Sequence, residues 1–447
     1  MGRAMLLIVT GMVVITGIIQ ANNNRRTAIL PERSQDYFYE QQARNESISL
    51  VDNAIEYLKN DNEWEDSIST GEHFQGSGKL YSYSSTTVPD SINHSVDQWN
   101  QYRVLLFSTS EYKGYSVQTE VLMQRDSFSK YSYFTESELS SGGNSIYWYT
   151  DDEVTGPVHT NGTFKIAGTP TFHGFVTSPN MYDSTSSSSS PNLYGGSDFN
   201  APENNSLLNS NVNQQVQNLS SQASSGGLRF NEHKKLEFYV DGDDGYVRTK
   251  SVQTYSCGYY YTETCYSFAT ESDDDSYRLS DYNGIISVDG QTFVDGTVKG
   301  EATVHSTSKI HIMGDIQYNT DPLTDSNSTD ILGLVSETDV EIDEDAHTAS
   351  GSSDIDIQAT IMALDTSFGV EDYSSSGFRG NINLLGGIIQ VQRGAVGTFG
   401  GYYGQTGYSK NYVYDTRLRG MTPPLFPRES IFSIVYWKDK VVSTPDS

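Results

Sequence analysis

Hydrophobic and polar residues follow three rhythms along this chain. The first is an unbroken apolar run, Met5 to Ile19, MLLIVTGMVVITGII, with no charge in it. Its members Met5, Leu6, Leu7, Ile8, Val9, Met12, Val13, Val14, Ile15, Ile18 and Ile19 are large and apolar. With Ala4, Gln20 and Ala21 the run reaches the span of about 17–25 residues that crosses a bilayer core. Arg3 precedes it, and Arg25 and Arg26 follow. The pattern predicts a retained membrane anchor, ahead of a cleaved signal peptide.

The second rhythm is helical. Ile48, Val51, Ile55 and Leu58 recur at three- and four-residue spacing, and Leu50, Ala54 and Tyr57 widen the stripe. Asn60 and Asp61 stop it, and Pro31 predicts a kink or break at its start. One continuous helix from Ala4 to Lys59 would be about 80 Å long.

The third rhythm is short and strand-like, cut by Gly, Asn and Asp. It predicts strands at Arg103–Thr109, Tyr115–Arg125 and Tyr131–Thr135, then at Val158–Thr160, Thr163–Ile166 and Phe172–Val176. A helix is expected near Leu207–Leu219. Strand-sized runs resume at Ile285–Val288, Thr297–Lys299, Ala302–His305 and Lys309–Ile312. They continue through Ile331–Ser336, Val340–Ile342, Ile355–Ala363 and Ile382–Val391. Such short strands with tight corners suit a parallel β-helix, with a β-sandwich as the alternative. The chain therefore reads as mainly β behind a long N-terminal helix.

The expected organisation is a hydrophobic transmembrane or filament-core helix over 1–30 and an amphipathic helix over 31–60. A small strand region over 61–142 and a β-solenoid over 143–427, with inserted loops at 179–282, come next. A C-terminal tail over 428–447 completes it. Gly394 and Gly397 read as tight corners, and Pro423 with Pro424 as a stop that caps the solenoid.

Charge narrows the function. The chain carries 28 Lys+Arg against 57 Asp+Glu, a formal net charge of −29. A negative field of that size repels phosphate backbones and argues against nucleic acid as a partner. The two cysteines, Cys257 and Cys265, frame CGYYYTETC. That spacing suits a cross-strand disulfide closing a hairpin with Tyr259, Tyr260 and Tyr261 near its tip, and an oxidising compartment would permit it. Among the acidic clusters, Asp241, Asp243 and Asp244 form the leading candidate for calcium, ahead of Asp325, Asn327 and Asp330. Neither follows the EF-hand pattern. His305 and His311 would share one face of a continuous strand, and His159 and His173 lie in the earlier strand-rich segment. No nucleophile elbow, P-loop, Rossmann fingerprint or zinc-protease spacing occurs. Tyr402, Tyr403, Tyr408, Tyr412 and Tyr414 either form an interface or cover the end of the solenoid.

The greasy helix, the amphipathic helix and the strand segment QYRVLLFSTSEYKGYSVQTEVLMQRDSFSKYSYFTES, residues 101–137, together resemble the pilin-like proteins related to the minor pilin PilX. In that family the first half of the stem packs in a filament core and the second lies on a β-domain. The chain departs from the major pilins, which carry a glutamate five residues into the mature helix: no acidic residue occurs between Met1 and Ala28. The segments at 156–162, 333–342, 357–373 and 393–427 resemble an uncharacterised family of exported proteins found with type IV pilus-like genes.

The resemblance implies a structural subunit of a type IV pilus-like extracellular filament, without catalysis. Its expected partners are copies of itself through the N-terminal helix, the pilus assembly machinery and the membrane before assembly. It would be exported, anchored in the inner membrane and then displayed at the cell surface. No cofactor is required, with Ca2+ the one candidate. The alternative is a membrane-tethered β-helix adhesin or glycan-binding protein, and a carbohydrate-active enzyme ranks third.

Overall fold

The computed structural model describes residues 2–72, 74–257, 263–269, 275–351, 353–375, 377–399 and 404–444, without the side chains of 2–9, 26–32 and 263. Strands dominate behind a long N-terminal helix. The chain divides into two compact units, Met1–Arg125 with Ile431–Ser447, and Asp126–Ser430.

The first unit is a helix on an antiparallel sheet. Helix α1, Gly2–Asn60, has 59 residues and is about 88 Å long at 1.5 Å per residue. Its backbone stays helical through Pro31, where a break was expected. A single proline removes one ladder bond, and the bonds on either side carry the helix across. The buried face of α1 runs Ala43, Ser47, Leu50, Val51, Ala54 and Leu58. It differs from the predicted stripe: Ile48 and Ile55 are half-buried and Tyr57 is exposed. Polar residues cause the shift. The Ser47 hydroxyl lies 2.9 Å from Ser108 Oγ and donates to Thr119 Oγ1 at 2.7 Å, so it is paid for inside the interface.

The sheet beneath contains Ser67–Ser69, Ser77–Tyr83, Arg103–Tyr112, Tyr115–Ser127 and Arg428–Ser443, in that order. Leu80, Val104, Leu106, Val121 and Met123 meet the helix. The segment 428–447, expected as a tail, thus supplies an edge strand. Its partner lies some 300 positions earlier in the chain, as in the bond from Ser433 Oγ to the Gln124 carbonyl. Local pattern carries no trace of that pairing.

The second unit is built from parallel ladders. One links Leu228, Ile286, Val304, Leu334, Ile361 and Ile388 in register. It continues from Ile388 to Tyr133, then to Val158 and Val176. A second ladder runs Leu236, Val294, Ile312, Ile342, Val370. A third runs Ile316, Ile357, Leu384, Tyr412, Val154, Phe172. These side chains share one apolar core. Such parallel pairing is the opposite of the antiparallel sheets of a β-sandwich. The repeat is uneven: 27 residues separate Leu334 from Ile361, and Ile361 from Ile388, whereas 18 separate Ile286 from Val304.

Order along the stack differs from order along the chain. The polypeptide joins at Tyr133, inside the series, and winds out to Ser197–Asp198. Helix α2, Ser210–Gly226, then returns the chain to the other end, where Leu228–Phe230 starts a second winding that closes against Tyr133–Thr135. The 179–282 segment, read as inserted loops, therefore holds the helix that makes this connection possible. Asn209 caps α2, accepting from the Asn211 backbone at 2.9 Å. Val212, Val216, Leu219 and Ala223 of α2 cover the outer positions of the first ladder, Ile285, Val335, Met362, Ile389 and Phe134.

Two further expectations change. The Pro423–Pro424 segment packs on the flank of the first ladder rather than over an end: Phe426 joins the α2 cluster, and Thr303 Oγ1 donates to the Pro424 carbonyl at 2.6 Å. Thr171–Phe172 and Val176–Thr177 are two strands, not one, because they belong to different ladders. Gly394 answers to close packing: a Cβ there would lie 1.8 Å from the Phe368 carbonyl oxygen.

Candidate functional site

The N-terminal half of α1 is the first candidate. Its described apolar side chains are open: Met12 is 67% and Val13 65% exposed, and Val14, Ile15, Ile18 and Ile19 follow them. Met5, Leu6, Leu7, Ile8 and Val9 lie outside the described side chains. No described helical segment is long and apolar enough to cross a membrane. These six exposed apolar residues ring the first half of a helix whose second half is seated on its sheet from Ala43 onward. Water would not favour such exposure, since each large apolar side chain gains about 1.5–3 kcal/mol on burial.

The acidic tip is built differently from the expected ion loop. Asp241 and Asp244 face each other at the end of an antiparallel hairpin, with Gly242 at φ +60° in the turn. The Asp244 carboxylate accepts from Arg278 Nη2 at 2.6 Å, so its charge is already met. Among the described residues, the carboxylates of Asp241, Asp243 and Asp244 do not converge as a set of ligands. Asp330 accepts backbone bonds from Gly300 at 2.7 Å and Thr320 at 2.9 Å, which makes it a loop brace; Asp325 accepts from the Asn327 backbone.

The histidines divide by environment. His305 lies in the strand Glu301–Ser306 and His311 in Ile310–Tyr318, with a bend between them. The continuous strand that would have put both on one face does not form. His305 is buried and sits 3.0 Å from Ser287 Oγ and 3.2 Å from Glu337 Oε1. His159 is held by Thr177 and Asn161, and His173 by Glu153. These three are satisfied polar groups of the stack.

His311 is placed otherwise. It is 7% exposed, stacked on Phe293 at 4.6 Å between ring centroids. Its Nε2 lies 2.9 Å from Gln291 Oε1, and the same amide donates to Ser308 Oγ at 3.1 Å. The amide is thereby oriented with its oxygen on the imidazole. That bond puts the ring proton on Nε2 and leaves the lone pair on Nδ1. Burial, with Lys309 nearby, pushes the imidazole pKa down to about 4.

Asp343 and Glu371 complete the group. They follow Ile342 and Val370 in the second ladder, and their backbone N–H groups donate to Ile312 and Ile342 carbonyls at 3.0 and 2.9 Å. One ligand atom from each of His311, Asp343 and Glu371 lies within 4.8 Å of the others. Burial raises both carboxyl groups above their ordinary range, and neighbouring acids, Asp345 for the first and Asp343 for the second, reinforce it. Sequence reading missed the set because its members come from three different turns of the stack. The only available signal was the ladder register.

Where the two windings meet, charges are buried among aromatic side chains. Arg393 Nη1 donates to Glu138 Oε2 at 2.7 Å, and Lys410 Nζ to Asp152 Oδ2 at 2.6 Å. The Arg393 guanidinium lies 4.2 Å from the Trp148 ring centroid and Lys410 Nζ 5.4 Å from it. Tyr408, Tyr412 and Tyr414 are buried in this region and are not an open surface; Tyr402 and Tyr403 lie outside the described residues.

Cys257 and Cys265 form a disulfide across the hairpin of Asp244–Cys257 and Glu263–Phe268, with Cα atoms 5.8 Å apart. Tyr259, Tyr260 and Tyr261 lie outside the described residues. A bridge over this short loop stabilises the hairpin by about 2–3 kcal/mol. Reduction is therefore expected to speed amide hydrogen exchange in Val252–Cys257 about 30- to 100-fold while leaving the parallel ladders protected. Exchange mass spectrometry with and without reductant checks this.

Residues 105–180 match a family model described as a domain of unknown function, DUF4900. The match begins in the antiparallel sheet of the first unit and ends in the strands Val158–Thr160 and Val176–Thr177 of the second. No curated protein matches the chain. Among solved structures, the competence-associated pilin ComZ from Thermus thermophilus is similar at 10% identity, over 92% of this chain and 98% of that one, with a TM-score of 0.33. A score of that size does not establish a shared fold.

Proposed function

We propose that the chain is a pilin-like structural subunit of a type IV pilus-like filament. The observation that carries this reading is the divided character of α1. One half is seated on an antiparallel sheet through Ala43, Ser47, Leu50, Ala54 and Leu58, while the other offers Met12, Val13, Val14, Ile15, Ile18 and Ile19 to its surroundings. A helix of that kind needs an apolar environment at its free half. Lipid supplies it before assembly, and helices of neighbouring subunits supply it afterwards. The subunit would be exported, anchored in the inner membrane, and then handed by the assembly machinery to a filament at the cell surface. The second unit, read as a β-solenoid, would face outward as a rigid acidic body with no catalytic step of its own.

A cysteine at position 14 or 18 tests the contact. In assembled material these variants should form disulfide-linked dimers through α1, and a cysteine at exposed Asp52 should not. Equal cross-linking at all three positions, or none at 14 and 18, goes against the reading.

A membrane-tethered adhesin or glycan-binding protein is the second reading, favoured by the broad stacked β-unit. On that reading, deleting residues 1–30 would leave ligand binding intact. A carbohydrate-active enzyme stands third, and turnover of a polysaccharide by the full chain would promote it.

A further inference from the structure

We propose that His311, Asp343 and Glu371 form a site for a divalent transition-metal ion, of the Zn2+ or Mn2+ kind, that clamps three successive turns of the parallel stack. The ligand set is one imidazole and two carboxylates, with atoms within 4.8 Å of one another. Imidazole nitrogen beside carboxylate oxygen favours a transition ion over Ca2+ or Mg2+, which prefer oxygen alone.

The second observation is independent of the acids. His311 is more than nine-tenths buried, and its Nε2 is engaged by Gln291 Oε1 at 2.9 Å. No described residue hydrogen-bonds Nδ1. A ligating histidine commonly gives its other N–H to such a carbonyl, which fixes the ring and its tautomer. Gln291 is in turn held by Ser308 at 3.1 Å. Ring, orienting amide and brace are thus all in place.

Of the cations around the two acids, Lys309 is paired with Glu341 at 2.6 Å and Lys235 with Asp295 at 2.8 Å, while the Arg379 guanidinium donates to the Glu371 and Asp372 backbone carbonyls at 3.1 Å and opposes the rise of the Asp343 carboxyl. Neither Asp343 nor Glu371 forms an ion pair with a described residue, although Asp343 is half-buried and the two acids repel each other; Glu371 is exposed at the mouth of the site. Asp343 Oδ1 accepts one bond, from the Asp345 backbone at 2.9 Å. An ion would neutralise the pair and tie Ile310–Ile312, Val340–Ile342 and Phe368–Val370 together where they already lie in register.

The test uses the full chain in detergent, stripped with a chelator and then dialysed against Zn2+, Mn2+ or Ca2+. Elemental analysis should find about one equivalent of Zn2+ or Mn2+, with a raised Tm. Asp343→Asn with Glu371→Gln should weaken binding more than about 100-fold, and Gln291→Leu, which leaves every ligand intact, about 10- to 100-fold. The double variant removes mutually repelling acids, so its metal-free Tm should equal or exceed that of the parent. Failure of the wild-type chain to retain Zn2+ or Mn2+, retention of Ca2+ alone, or equal retention by the double variant would overturn the proposal.

Discussion

Cells carrying Val13→Asp are expected to shed no filaments containing this chain and to hold little of it in the membrane. Val13 is 65% exposed within the open half of α1, beside Met12 and Val14. An aspartate there must enter either lipid or a helix-lined core, and at a helix centre in the membrane it costs about 2.5–3.5 kcal/mol. That corresponds to a loss of roughly 100-fold for each subunit that inserts. The change touches none of the residues that seat α1 on its sheet, so the globular parts should still fold. Val13→Leu keeps the apolar surface and should behave as wild type. Fractionation of membranes, followed by pelleting of sheared appendages, reads both steps.

The second large effect lies at the joint between the two windings. Arg393→Met should destabilise the second unit by about 3–5 kcal/mol, because it strands Glu138 as a buried, unpaired carboxylate. The two side chains are 2% and 1% exposed, and Thr135 Oγ1 also donates to Glu138 at 2.5 Å. Replacing both partners, Arg393→Met with Glu138→Leu, should recover most of the loss, since no charge is then left without a partner. Urea unfolding of the full chain can follow this through tryptophan fluorescence, because Trp148 packs directly under Arg393. A single variant as stable as the parent would show that the pair does not hold the joint.

The strands themselves were legible. Val158–Thr160, Ile285–Val288, Ile331–Ser336, Val340–Ile342 and Ile355–Ala363 occur with the predicted bounds, since apolar side chains alternate inward and Gly or Asp marks the corners. Their order in the stack was not legible. The pairing of Ile388 with Tyr133 joins residues 255 positions apart, and nothing local announces it. The same holds for the strand Arg428–Ser443, whose β-branched run was visible but whose partner was not. The His311 set fails for a related reason. With uneven spacing between turns, no period could align residues 311, 343 and 371, although each residue type was plain to see. The stripe on α1 was nearly right, and the correction came from Ser47, whose buried hydroxyl finds partners only in the folded sheet.

The most direct measurement is electron microscopy of appendages sheared from native cells, with mass spectrometry of the same fraction. Filaments that contain this chain are expected, with the α1 segment around Met12–Ile19 packed in a helical core. Finding the chain only in the membrane fraction, with no filament containing it, would rule out a filament subunit and leave α1 as a tether.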